Sequence, residues 1–333
     1  MRGLTAPLWP IHFKPLPDEL LSSWLVRLAH AHGLKIQTFC TLIFSSKLQL
    51  WNRDIDRLAP NWLLKELSDR TGVAYKDLFQ TTLRSYEGWL YPKIRTSSTL
   101  QWITALKLHH RKFEGFGIQF CPQCLKEDIE PYFRKRWRVA FNTVCTKHNL
   151  LLHDRCQSCG TGAAFHRVDV GHKVFSDSVI LNICHKCGFN LGESATHEIG
   201  IYNLEIGDWL CGLSTILEEV NTKEVLKGCE LLRVMRQFAM LLTSRCKSVT
   251  LHEFICAQIE IPEFKFLRGG ISFEARPIND RHHLVQLIGW LMIDLGPRLN
   301  IARRTKALRY NHLIKDFDNV PDWYLTDLKK FLY

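Results

Sequence analysis

No apolar run in this 333-residue chain approaches the ~20 residues that span a bilayer. The opening Met1-Arg2-Gly3-Leu4-Thr5-Ala6-Pro7 has no apolar core of the signal-peptide type, so a cytoplasmic protein without a membrane partner is expected. Low-complexity linkers are missing too. So are the short motifs of common enzymes: there is no His-Glu-x-x-His, no P-loop and no Gly-x-Ser-x-Gly elbow. The zinc deaminases need His-x-Glu and a later Pro-Cys-x-x-Cys. Here no His is followed by Glu two places on, and Pro122 lies inside its cysteine pair, not before it. The expectation is a protein that is not an enzyme.

What is present is enough apolar side chain for real cores, 46% of residues with 11% aromatic. Lys plus Arg is 44 against 33 Asp plus Glu, a formal charge of +11. The excess is uneven: residues 191–264 carry 6 basic and 11 acidic side chains, residues 265–333 carry 12 and 7. A basic chain with an acidic belt suits a partner that bears phosphates. Cysteine is plentiful, at 12. Disulfide scaffolds are usually short, and most of these cysteines fall in metal-type pairs, so a reducing compartment fits better.

The fold class expected is mainly α with a little β. Residues 1–118 read as an N-terminal helical, helix-turn-helix-like domain. Asp18 is placed to cap a helix containing Leu20, Leu21, Trp24, Leu25 and Leu28, and Gly33 to end it in the left-handed region. Further helices are expected from Ile36 to Phe44, from just after Pro60-Asn61 to Gly72 with Trp62, Leu63, Leu64 and Leu67 inward, and from Tyr75 to Leu83. Residues 119–190 change character to Cys, Gly and His with brief apolar runs such as 179–183, the signature of small hairpins folded round metal in a tandem zinc-ribbon or zinc-finger module. Residues 191–333 form a C-terminal helical domain, with periodicity over 228–244, 249–258 and 280–295.

The strongest signal is four ligand pairs in series: Cys121-x-x-Cys124, Cys145-x-x-His148, Cys156-x-x-Cys159 and Cys184-x-x-Cys187. A two-residue spacer turns both side chains toward one ion while backbone amides face the sulfurs, and a second pair closes the tetrahedron. Gly160 and Gly188 follow their pairs where a positive φ costs least. Sequential pairing is the simplest: Cys121, Cys124, Cys145 and His148 at one Zn2+, with Cys156, Cys159, Cys184 and Cys187 at the other. An interleaved pairing also satisfies the spacing. Both sets hold four ligands, so the two ions should be structural, since a catalytic zinc keeps one position for water. His153 and His185 are spare candidate ligands, but as lone histidines beside complete sets they read as neighbours of the ligands or surface groups. Cys40, Cys211, Cys229, Cys246 and Cys256 fit no metal spacing, and Cys40, Cys211 and Cys256 read as core.

Phe120-Cys121-Pro122-Gln123-Cys124, the later Trp137 and Cys145-Thr146-Lys147-His148-Asn149-Leu150-Leu151-Leu152 resemble the TniQ/TnsD transposition family. The opening 15–25, with Pro17-Asp18-Glu19 and Ser22-Ser23-Trp24-Leu25, and Thr81-Thr82-Leu83-Arg84 are similar to it as well. The resemblance covers roughly residues 10–190. It implies a bacterial, non-catalytic selector of transposition targets, which links a target recogniser to an AAA+ ATPase of the TnsC kind. Some members bind an attachment site themselves through a long C-terminal region, in the manner of TnsD. Others, the TniQ of CRISPR-associated transposons, are shorter and sit on a crRNA-guided effector complex, often as a homodimer. Fewer than 150 residues follow the zinc block here, which favours the RNA-guided adaptor, with target DNA nearby.

Two basic runs are candidates for nucleic-acid contact. Tyr132-Phe133-Arg134-Lys135-Arg136-Trp137-Arg138 lies between the first two ligand pairs, where Arg134, Lys135, Arg136 and Arg138 could meet phosphates and the rings could stack on bases. The competing reading has Phe133 and Trp137 packed under the metal module. The second run, Arg298, Arg303, Arg304, Lys306 and Arg309, is expected on one helix. Glu205, Asp208, Glu218, Glu219 and Glu224 form the acidic belt, which could meet a basic partner.

Overall fold

The computed structural model describes residues 8–44, 54–95, 99–104, 106, 117–168, 181–218, 225–244, 246, 248–266 and 271–332. Val179 and Ile180, Glu219, Glu224 and the side chain of Glu218 lie outside the described residues. Among the described residues the protein is mainly helical, with one two-stranded ribbon. It divides into two compact units: Met1–Glu87, Tyr91–Val139 and Lys147–Glu198 in the first, Gly88–Leu90, Ala140–Thr146 and Ile199–Tyr333 in the second.

In the first unit, α1 (Leu21–Ala31), α2 (Ile36–Phe44), α3 (Ile55–Leu58), α4 (Asn61–Thr71) and α5 (Tyr75–Gln80) follow one another closely. Gly33 and Gly72 take φ of 67° and 72°, the left-handed stops expected of them. Leu20, Leu21, Trp24, Leu25 and Leu28 are fully buried. Asp18, however, does not cap α1. It sits at φ 57°, and its carboxylate accepts from Arg136 Nε at 2.8 Å, while Leu20 occupies the cap position. A tertiary ion pair has taken the side chain that local pattern assigned to the helix. Trp62 is a second correction. Leu63, Leu64 and Leu67 point inward, but Trp62 is 44% exposed, one residue and so about 100° round the helix from Leu63, with its edge toward Phe44.

Polar groups inside this unit are tied together. Ser22 donates to Asp56 through both N–H and Oγ, at 2.8 and 2.7 Å, and Arg138 reaches Asp54 and Asp56. Arg27 bridges the buried Glu19 at 2.7 Å and Glu130 at 2.5 Å. Burial pushes the Glu19 carboxyl up to about 7 against the opposing pull of Arg27.

The second unit contains α7 (Leu204–Glu218), α8 (Val225–Leu242), α9 (Leu251–Gln258), α10 (Ile278–Ile293), α11 (Leu295–Arg304), α12 (Tyr310–Ile314) and α13 (Asp322–Leu332). α10 is buried on nearly every side. At Gly289 an added Cβ would meet the Trp209 ring at 2.6 Å, so glycine is what lets α7 and α10 approach. Polar residues of α10 bond within the unit: Arg281 donates to the carbonyls of Ala140 and Arg276, and His282 bonds Thr143 Oγ1 and the Ile199 carbonyl. Cys211, expected in the core, is exposed. It lies on the outer side of α7, whose inward residues are Ile206, Leu210, Leu213 and Leu217. Among the described residues no helix is long and apolar enough to cross a membrane.

Candidate metal centres

The first ligand set is assembled by one short helix and one tight ribbon. Cys121 caps α6 (Pro122–Glu127), and Pro122 at its first position supplies a preset φ without wasting a hydrogen bond. Cys124 then lies in the first turn. The ribbon pairs β1 (Val144–Cys145) with β2 (Leu150–Leu151), and Asn149 takes φ 54° in the turn between them. The donor atoms of Cys121, Cys124, Cys145 and His148 all fall within 4.8 Å of one another. His148 Nδ1 is 3.4 Å from Cys121 Sγ and 3.3 Å from Cys124 Sγ. Tetrahedral zinc with ordinary bond lengths would place such an N–S pair about 3.5 Å apart.

The second set is built from two copies of one device. Gly160 N–H donates to the Cys156 carbonyl and Gly188 N–H to the Cys184 carbonyl, both at 2.9 Å. Each glycine has a positive φ, 71° and 75°. Antiparallel bridges Arg155–Gly162 and Ile183–Asn190 close each turn into a knuckle. Cys156 Sγ lies 3.7 Å from Cys187 Sγ, and Cys159 Sγ 3.7 Å from Cys184 Sγ. That is far beyond the ~2.05 Å of a disulfide. It matches the edge of a tetrahedron with ~2.3 Å metal–sulfur bonds, about 3.8 Å. Of the two pairings the spacing allowed, the structure brings together the sequential one, and the interleaved one is not formed.

Both sets carry four donors, and the donor chemistry, thiolate with one imidazole, suits a borderline-soft divalent ion. A carboxylate that the sequence pattern did not single out completes the first set. Glu127 Oε2 accepts from His148 Nε2 at 2.8 Å and from Lys147 Nζ at 2.8 Å. This contact places the imidazole proton on Nε2 and leaves the Nδ1 lone pair facing the sulfurs. The N–H groups of Lys147, Gln123 and His148 hold the Glu127 carboxyl down at about 2. Its register, three residues past Cys124 on the same helix, was the available signal.

His153 does not join a ligand set. It stacks between Phe120, at 5.6 Å, and His197, at 5.2 Å, and burial holds its pKa down. The backbones of Phe120 and His153 pair across the strand-like segments leading to the two sets. Close packing nearby depends on Gly117, where a Cβ would lie 2.0 Å from the Ala163 carbonyl oxygen.

The aromatic and basic run between the first two pairs is used internally. Phe133 and Trp137 are buried and meet edge to face at 5.8 Å. Arg134 pairs with Asp128 at 2.8 Å and lies over the Tyr132 and Trp137 rings. Lys135 donates to the Gln80 carbonyl and Ser85 Oγ, Arg136 pairs with Asp18, and Arg138 is wholly buried on Asp54 and Asp56. Of the two readings of this run, the structure shows Phe133 and Trp137 packed in the module, with Arg134, Arg136 and Arg138 on carboxylates and Lys135 on a carbonyl and a hydroxyl. The second run fares differently. α11 ends at Arg304, and Lys306 takes φ 61°, so the five cations do not share one helix. Arg303, Arg304, Lys306 and Arg309 are nevertheless all exposed.

No curated protein matches the chain. The TniQ family model matches residues 10–152, which contain the helical array and the whole first ligand set. Cys156, Cys159, Cys184 and Cys187 lie beyond the matched segment. Over residues 10–152, less than half of its length, the chain is similar to the TniQ family.

Proposed function

We propose that the chain is a non-catalytic adaptor that joins a crRNA-guided CRISPR effector complex to the AAA+ ATPase of its transposon, with two zinc ions as structural centres. The observation that carries this reading is the coincidence of the TniQ match with a metal set complete at four protein donors. A closed ion has no position for an activated water, so its role is to hold a surface in shape. In the first set the ion would tie α6 to the β1–β2 ribbon. In the second it would tie the two knuckles together.

The exposed cations at Arg303, Arg304, Lys306 and Arg309 offer phosphate contact of the salt-dependent kind, suited to a protein that works beside target DNA. Zinc is the ion of choice because three thiolates with one imidazole, or four thiolates, at tetrahedral spacing exclude the hard cations. A second copy of the chain on the same effector complex fits the same role.

The test is a nuclease-treated pull-down of the tagged chain, co-expressed with the effector genes and the ATPase of its own element. Co-purification of a crRNA-containing complex supports the adaptor. Tight binding to one DNA site, with no such complex, would replace it with a TnsD-like selector.

A further inference from the structure

A third group of metal-type donors lies in the second unit, away from both cysteine sets in sequence. His252 and Cys256 stand one helical turn apart on α9, and His283 comes from α10. All three are buried, at 8%, 1% and 2% exposure. His252 Nε2 is 2.8 Å from His283 Nε2 and 3.9 Å from Cys256 Sγ, and the three donor atoms fall within 4.8 Å of one another. Nothing in the spacing of the pairs announced this group, because its members come from two helices separated in the chain.

We propose that His252, Cys256 and His283 form a third zinc site, with three protein donors and the fourth position left to water or a small exogenous ligand.

The surroundings orient the donors as a metal site requires. The Tyr202 hydroxyl engages His283 Nδ1 at 2.6 Å, which leaves Nε2 as the nitrogen that faces the cluster. Phe264 stacks on the His283 ring at 4.6 Å and 18°, which fixes its plane. The Phe264 backbone N–H points at the Cys256 sulfur. Phe266 meets the His283 ring edge to face and is tilted against the His252 ring.

The 2.8 Å contact between the two Nε2 atoms suits one shared proton. With zinc between them the nitrogens would stand about 3.3 Å apart, a shift of roughly half an ångström. In that exchange His252 keeps one N–H by moving its proton from Nε2 to Nδ1. The Cys256 thiol proton leaves as the sulfur–zinc bond forms. One proton is therefore released per ion, and no redox partner is needed.

Zinc content of the whole chain, expressed with zinc and dialysed, is the test. The wild type should carry one equivalent more than the Cys256→Ser/His283→Gln variant, and Cys184→Ser should lose a different equivalent independently. Should the variant fail to fold, a second measurement is made on the wild type. Cobalt replaces zinc, and added azide should perturb only the spectrum of an ion with an open position. Equal zinc in wild type and the folded variant, or a cobalt spectrum indifferent to azide, would overturn the third site. Neither result bears on the two four-donor sets, whose own variant reports on them.

Discussion

Replacing Glu127 with Ala isolates one contact at the first metal set. The carboxylate touches no sulfur. It holds His148 through Nε2 at 2.8 Å and is itself held by Lys147 and Gln123, each at 2.8 Å. Outer carboxylates of this type are typically worth about 10- to 100-fold in metal affinity. Glu127 is 41% exposed on its side chain, so water can replace part of what it does, and the loss expected is about 10-fold. Glu127→Gln keeps an oxygen acceptor for the imidazole N–H and should lose less. The assay is competition for zinc with a chromophoric chelator, which resolves ions by affinity, and the four-cysteine set serves as an internal standard. One ion should weaken and the other should not. Unchanged affinity in Glu127→Ala would refute the positioning role. Equal weakening of both ions would mean that the change acts through the fold, not through His148.

Arg138→Met should cost about 3–5 kcal/mol of stability, because it leaves the buried Asp56 without its cation, and thermal unfolding reads this directly. An unshifted Tm would contradict the network. Glu19 has a folded pKa near 7 against 4.5 ordinarily, so the folded chain binds the extra proton and stability falls as pH rises from about 4.5 to 7. Glu19→Gln should flatten that part of the pH profile, whatever constant offset it adds, and an unaltered slope would show that Arg27 keeps the carboxylate charged. Gly117→Ala should lower the soluble yield of the full chain, since its Cβ has no room beside the Ala163 carbonyl, and normal yield with unchanged Tm would contradict that packing.

What the sequence made legible was local and repetitive. Four ligand pairs agreed on spacing, and the glycines after two of them announced the turn each pair needs. Gly33 and Gly72 marked helix ends for the same reason: only glycine enters the left-handed region without cost. What escaped depended on residues distant in the chain. Asp18 looked like a cap until Arg136, far along the chain, claimed it. The basic loop looked available because charge patterns do not show which carboxylates lie opposite. His252, Cys256 and His283 are unremarkable as a pattern and meet only when α9 packs on α10. Cys211 failed for the opposite reason, since apolar neighbours along a helix do not say which face a residue takes.

The most direct test of the structural role of the two four-donor sets is hydrogen exchange on the full chain with and without a zinc chelator. For structural zinc, metal binding is folding free energy, on the order of 10 kcal/mol per site. Chelation should abolish amide protection across residues 117–168 and 181–198, including the Cys156–Gly160 and Cys184–Gly188 turns. Protection that persists throughout those residues after the metal has been removed would contradict it.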